Sequence, residues 1–210
     1  MKLFECKGVP VSIHYTSIIL NICVAAALFS NFNITSAFYL LFLYFGIQTC
    51  VLLHEGAHVL AAAAYGMKAE SITLYPFGGI ARVAIDPLDE FSEFFISIAG
   101  PALNLLIAGL LFPFVLFEVP VLYELALVNF IMAFFNMLPM YPMDGGRVFR
   151  ALLSRKLGRR RATKIAIGTS LMLITSMGVV SAFFIPELCI ISVVLLVMLF
   201  LEIKRFRSNS

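Results

Sequence analysis

Charged residues are scarce in this sequence. Only 13% of its 210 residues are Asp, Glu, Lys or Arg, whereas 61% are hydrophobic, and tryptophan is absent. A soluble domain of this length needs more charged surface, so the composition excludes an ordinary water-soluble enzyme or binding module. It indicates instead a protein that lies in a lipid bilayer.

Cysteine is sparse as well and shows no pattern. The four cysteines include no C-x-x-C pair, so the sequence predicts no disulfide framework. Cys50 lies one helical turn before His54, but the rise from Cys50 to His58 is ~12 Å, too long for one metal ion to bind all three. We therefore expect Cys50 to be a packing residue. Internal repeats are also absent, which counts against a transporter built from paired halves.

Long apolar runs are what the sequence does contain. A helix that crosses a membrane needs ~20 apolar residues, and about six stretches approach that length. They are residues 12–30, 36–65, 94–117, 123–138, 162–185 and 188–201. After the second stretch, β-branched and aromatic residues split by Pro76 and Gly78-Gly79 predict two short strands, followed by an acidic linker at residues 86–93.

These runs predict one transmembrane domain over residues 1–210. Its expected class is an all-α polytopic membrane protein with about six transmembrane helices and a short membrane-associated β insert after the second. The first apolar run is expected to be an uncleaved span, because no large polar domain follows it for export.

Positive charge is distributed unevenly along the chain. The fifteen Lys and Arg residues lie near the start of the chain, near loops that follow even-numbered spans, or near the end. Because positively charged loops stay on the cytoplasmic side, the pattern predicts an integral protein of the cell membrane with both termini cytoplasmic. The basic run at residues 155–164 then contacts anionic lipid, and we expect no nucleic-acid partner.

The second apolar run contains the pattern H-E-x-x-H. His54, Glu55 and His58 form it, and Glu55 is the single charged residue of residues 36–65. Two histidines four apart on a helix project from the same face, so both imidazoles can bind one zinc ion while the glutamate activates water. Ionisable groups are costly inside a membrane. A chance match or a metal-free polar packing cluster is therefore the weaker explanation.

A catalytic zinc needs a third protein ligand, and Asp144 is the candidate. It lies in residues 139–147, where two prolines and two glycines cannot hold a regular helix. Irregular backbone near membrane depth is tolerated where it lines a cavity or is buried in protein. The alternative is that Asp144 only caps the helix that follows.

Five segments resemble the site-2 protease family of intramembrane zinc metalloproteases. They are residues 8–14, 54–58, 74–79, 99–104 and 136–146, and the last matches N-x-x-P-x-x-P-x-D-G-G. Met143 stands where Leu is common and Gly56-Ala57 where Leu-Gly is usual, but none of these is a ligand position. Within the family, the chain is most similar to the compact sporulation-type proteases that process a pro-sigma factor, without their CBS domain.

The resemblance implies that His54, His58 and Asp144 bind one catalytic Zn²⁺ and that Glu55 is the catalytic base. The protein is then a zinc metalloendopeptidase that hydrolyses a peptide bond in or near the membrane segment of an anchored regulatory protein. A regulatory membrane partner fits the same expectation.

Four further residues are candidates for binding substrate or the oxyanion. Asn136 and Asn104 could hydrogen-bond substrate or the oxyanion, or simply join helices. Gly78 and Gly79 belong to a strand whose edge could pair with an unwound substrate. Two other functions stay open: a zinc or small-solute transporter, and an inactive homologue that only holds membrane partners. Replacing Glu55 by Gln separates hydrolysis from transport.

Overall fold

The structure is a computed structural model that describes residues 2–6, 9–67, 69–75, 78–83, 89–184 and 187–208. Some parts of the predictions lie outside these residues: Gly8 of the first motif, residues 76–77 of the strand motif and its turn, residues 86–88 of the linker, and Ile185 at the end of the fifth predicted span. Helices dominate the described residues, as the composition predicts, and a four-stranded sheet accompanies them.

The described chain contains two pairs of strands, and each pair is followed by helices. The helices are α1 (Tyr15–Asn31), α2 (Ile34–Ala64), α3 (Glu90–Leu111), α4 (Pro120–Asn136), α5 (Asp144–Leu157), α6 (Arg159–Phe184) and α7 (Glu187–Ser208). A 3-10 segment, Phe112–Phe117, follows α3. The strands are β1 (Lys2–Cys6), β2 (Val9–Ile13), β3 (Ala69–Tyr75) and β4 (Gly78–Val83).

The sheet has the strand order β1-β2-β3-β4. Strands β1 and β2 form an antiparallel hairpin, as do β3 and β4, and β2 runs parallel to β3 with Val11 opposite Ile72. The first hairpin is not among the predicted elements, because its residues show no alternating pattern long enough to distinguish a strand from the approach to a membrane span. Strands β3 and β4 both lie against α2.

Three helical segments are long and apolar enough to cross a membrane. They are Ile34–Ala64, Glu90–Phe117 and Arg159–Phe183, and two shorter apolar helices, Tyr15–Asn31 and Pro120–Asn136, accompany them in the part of the chain that the structure describes. The 31 residues of α2 extend ~46 Å at 1.5 Å per residue, more than the hydrocarbon thickness of a bilayer.

Two helices begin where the sequence predicts irregular backbone. Helix α3 begins at Glu90, inside the predicted acidic linker, because the Asp89 side chain accepts a hydrogen bond of 2.9 Å from the Ser92 N–H and caps the helix. Helix α5 begins at Asp144 and runs through Gly145 and Gly146. The prediction was wrong there because it treated these glycines as helix breakers alone.

The chain forms two compact units. One consists of Met1–Pro87 and Ala99–Ala133 and contains the sheet, α1, α2 and the later part of α3. The other consists of Leu88–Ile98 and Phe134–Ser210 and contains α5, α6 and α7. Its core is a cluster of buried side chains from the segment before α5 and from α6 and α7: Met140, Tyr141, Ala166, Ile174, Leu195 and Leu199.

Candidate metal centre

The two histidines of α2 face each other across the space that one metal ion would occupy. His54 is buried and His58 is half-buried, and their Nε2 atoms are 3.2 Å apart. Two nitrogens that bind one tetrahedral zinc at ~2.0–2.1 Å are themselves ~3.3 Å apart. The separation of the two rings therefore fits shared coordination of a zinc ion.

Asn104 fixes the orientation of the first histidine. Its side chain on α3 is fully buried, and its Oδ1 atom is 2.9 Å from His54 Nδ1. With the ring proton on Nδ1, that N–H donates to Asn104 Oδ1 and the Nε2 lone pair is left for a metal. A metal-binding histidine usually donates such a hydrogen bond from the ring nitrogen that does not bind the metal.

Gly100 brings α3 close to both imidazoles. A Cβ atom at this position would lie 2.4 Å from His58 Nε2 and 2.7 Å from His54 Cε1, distances that real Cβ atoms essentially never show. Any larger residue at Gly100 would displace the two rings. The glycine and the asparagine of one helix thus shape the histidine pair of another.

Asp144 is the predicted third ligand of this centre, and it belongs to the other compact unit. Two imidazoles and one carboxylate form a donor set that zinc accepts, and three protein ligands leave the fourth position open, as catalysis requires. Asp144 is the first residue of α5 and is half-buried.

The segment before Asp144 folds tightly against the first turn of α5. A Cβ atom on Gly145 would lie 2.3 Å from the Leu138 carbonyl oxygen, and one on Gly146 would lie 2.7 Å from the Tyr141 backbone nitrogen. These neighbours are backbone atoms that cannot rotate away. The two glycines are therefore needed for close approach of the chain to itself.

The other predicted residues occupy defined places in the fold. Glu55 is half-buried on α2, directly after His54, and Asn136 is the half-buried last residue of α4. Gly78 and Gly79 are the first residues of β4, where they pair with Tyr75 and Leu74 of β3.

The cysteine on the histidine helix has a partner of its own. Cys50 is buried, as expected for a packing residue, and its Sγ accepts a hydrogen bond of 3.0 Å from Asn129 Nδ2 on α4. Sequence reasoning missed Asn129, and it missed that Asn104 contacts His54. The available signal was the rarity of amide side chains in apolar helices, which indicates a buried hydrogen bond without naming its partner.

Comparisons with known proteins assign the chain to a family. The family model of peptidase family M50 matches residues 42–122 and 118–177, more than half of the chain, including the histidine pair and Asp144. The chain belongs to peptidase family M50. The resemblance of its motifs to the site-2 proteases is thereby confirmed.

Individual relatives of this M50 protein agree with the family match. A zinc metalloprotease of Methanocaldococcus jannaschii is 38% identical over 182 residues, which cover 83% of this chain and 52% of the relative. Stage IV sporulation protein FB of Bacillus subtilis is 31% identical over 144 residues, 65% of this chain and 49% of that protein. The chain spans about half the length of these two curated relatives.

The fold has a solved counterpart. The structure of a site-2 protease from Methanocaldococcus jannaschii superposes with a TM-score of 0.67 at 31% sequence identity, and the match covers 98% of this chain and 94% of that one. The fold is therefore that of a site-2 protease.

Proposed function

We propose that this chain is an intramembrane zinc metalloprotease that hydrolyses a peptide bond in or near the membrane segment of an anchored regulatory protein. The observation that carries the proposal is the 3.2 Å separation of the His54 and His58 Nε2 atoms on a helix apolar and long enough to cross a membrane. With Asp144 as third ligand, these residues would hold one Zn²⁺ and leave one coordination position open.

Hydrolysis depends on a base beside the metal. A bound zinc ion supplies Lewis acidity, which lowers the pKa of water and polarises a carbonyl. Glu55 directly follows His54, and its carboxylate takes a proton from the attacking water and returns it to the nitrogen of the leaving amine. Asn104 keeps the His54 ring in the orientation and tautomer that coordination needs.

A helical substrate must unwind before its scissile carbonyl is accessible. Strand β4 pairs with β3 alone in the described sheet, so its outer edge can accept an unwound segment as an added strand. Strand β4 begins with Gly78 and Gly79, which let the substrate backbone approach closely. Asn136, at the end of α4, is proposed to hydrogen-bond substrate backbone or the developing oxyanion.

The membrane setting supports this substrate class. We infer about six membrane crossings and cytoplasmic termini, because the Lys and Arg residues cluster near predicted even-numbered loops and chain ends. Cleavage on that side releases a soluble fragment of the substrate into the cytoplasm.

The test compares purified wild type with Glu55→Gln in liposomes that contain a panel of single-span reporter proteins. Zinc content and reporter cleavage are measured on the same samples. We expect both proteins to hold zinc and wild type alone to cleave. Equal cleavage by Glu55→Gln would contradict the assigned base, and a wild type without zinc would contradict the metalloprotease itself.

Two outcomes lead to the alternative functions. Zinc binding without cleavage, combined with metal uptake that survives Glu55→Gln, would indicate a transporter. Zinc binding with neither cleavage nor uptake would indicate a protein that only holds membrane partners.

A further inference from the structure

A buried ion pair joins α3 and α5 in the unit that contains Asp144. Glu93 is only 2% exposed, and its Oε1 accepts hydrogen bonds from Nε and Nη2 of Arg150, the first at 2.8 Å. Its other oxygen, Oε2, lies 3.6 Å from Nη2 of Arg159 on α6. Burying a carboxylate this deeply is costly unless such partners pair with it.

Arg150 also contacts the segment that leads to Asp144. Its guanidinium carbon lies 5.6 Å from the centroid of the Tyr141 ring, within the range of a cation–π contact. Tyr141 is 1% exposed, and burial raises the pKa of its phenol to about 12, against the opposing effect of the Arg150 charge, so that the ring stays neutral.

The backbone of Tyr141 is fixed as firmly as its ring. Its N–H donates a hydrogen bond of 2.8 Å to Ser170 Oγ, a fully buried hydroxyl on α6. Only Pro142 and Met143 separate Tyr141 from Asp144, and Gly146 packs against the Tyr141 nitrogen. A shift of Tyr141 therefore moves the backbone from which the Asp144 carboxylate extends.

We propose that Arg150, held by Glu93, is a positioning residue that fixes the Asp144 carboxylate for metal binding through Tyr141. The inference rests on the proposed function, in which Asp144 is a zinc ligand. A buried ion pair adds little net stability compared with apolar residues of the same volume. Stability alone therefore does not explain the Glu93–Arg150 pair, whereas precise placement of Asp144 does.

The test is the paired variant Glu93→Gln/Arg150→Met, which removes the contact without leaving an unpaired buried charge. Zinc affinity, from competition with a chelator, is expected to fall about 10-fold, the lower end of what partners of metal ligands contribute. Reporter kcat should fall as well, with KM unchanged, because Arg150 is not assigned to substrate binding. Lys156→Met removes an exposed cation from the same helix and should change neither quantity.

A second variant separates positioning from folding. Arg150→Lys keeps the charge but loses the planar two-point contact, so its zinc affinity should lie between those of wild type and the paired variant. Introduced beside Asp144→Ala, the paired change should leave the remaining zinc affinity unaltered, because its route to the metal is already lost.

Three results would overturn the inference. An equal loss of zinc affinity with and without Asp144 would mean that the ion pair acts on the fold alone. Wild-type zinc affinity in the paired variant would remove the positioning role while the proposed function stands. A wild type that binds no zinc would overturn the proposed function and this inference together.

Discussion

The proposed ligands come from two very different pieces of chain. His54 and His58 lie on a regular helix, where the spacing of four residues alone turns both rings to one face. Asp144 follows what we call the aspartate turn, residues 137–143, whose shape depends on glycine contacts and on Tyr141. The helix alone therefore places the two histidines, whereas tertiary contacts place Asp144. Substitutions far from the metal should therefore disturb the geometry of the aspartate turn more than that of the histidine helix.

The largest expected effect is that of Gly145→Ala. The added methyl group would lie 2.3 Å from the Leu138 carbonyl oxygen, so the backbone of the turn must move and carry Asp144 with it. We expect reporter cleavage to be abolished and the free energy of unfolding to fall by about 1–3 kcal/mol or more. Cleavage assays and thermal unfolding in detergent measure both.

A matched control is Gly168→Ala on α6. Among the residues that the structure describes, nothing beyond its own stretch of helix lies within 4 Å of the added methyl group, so this variant should cleave at the wild-type rate. Wild-type cleavage by Gly145→Ala would show that the aspartate turn tolerates movement, and the contrast with the histidine helix would disappear.

The next effect, Gly100→Ala, tests the histidine helix itself. Its methyl group would displace the His58 and His54 rings, which are side chains, so we expect zinc and cleavage to be lost while the protein stays folded. Zinc content and circular dichroism distinguish this result from unfolding. Gly56→Ala lies on the helix between the histidines; its methyl group would meet no described residue within 4 Å beyond that stretch of helix, so the variant should keep its zinc.

The histidine helix and the aspartate turn differ in how much of each could be predicted from the sequence. The spacing of His54 and His58 predicts their shared face because a helix has a fixed period. The motif around Asp144 predicts it as a candidate ligand. The start of α5 was not predicted, because helix propensity describes Gly145 by itself and takes no account of the Leu138 carbonyl that packs against it. Glu93 was assigned to a linker for a similar reason, since its partner Arg150 lies 57 positions further along the chain.

A smaller effect is expected from Asn104→Leu. Loss of the oxygen that is 2.9 Å from His54 Nδ1 frees the ring to rotate, and zinc affinity should fall about 10- to 100-fold. Chelator competition measures it. Asn104→Asp keeps an acceptor for His54 Nδ1 and should bind zinc far more tightly than the leucine variant. Equal affinities would mean that α2 alone orients the ring.

Ser170→Ala should change cleavage least and bears most directly on how the aspartate turn is held. It removes the acceptor of the buried Tyr141 N–H, and an unmade buried hydrogen bond costs about 1–3 kcal/mol of unfolding free energy. Ser176→Ala on the same helix removes an exposed hydroxyl and should change stability by less than about 0.5 kcal/mol. We expect Ser170→Ala to lower zinc affinity together with stability. A loss of stability with unchanged zinc affinity would mean that the backbone of Tyr141 does not help to position Asp144, and the ring contact with Arg150 would carry that role alone.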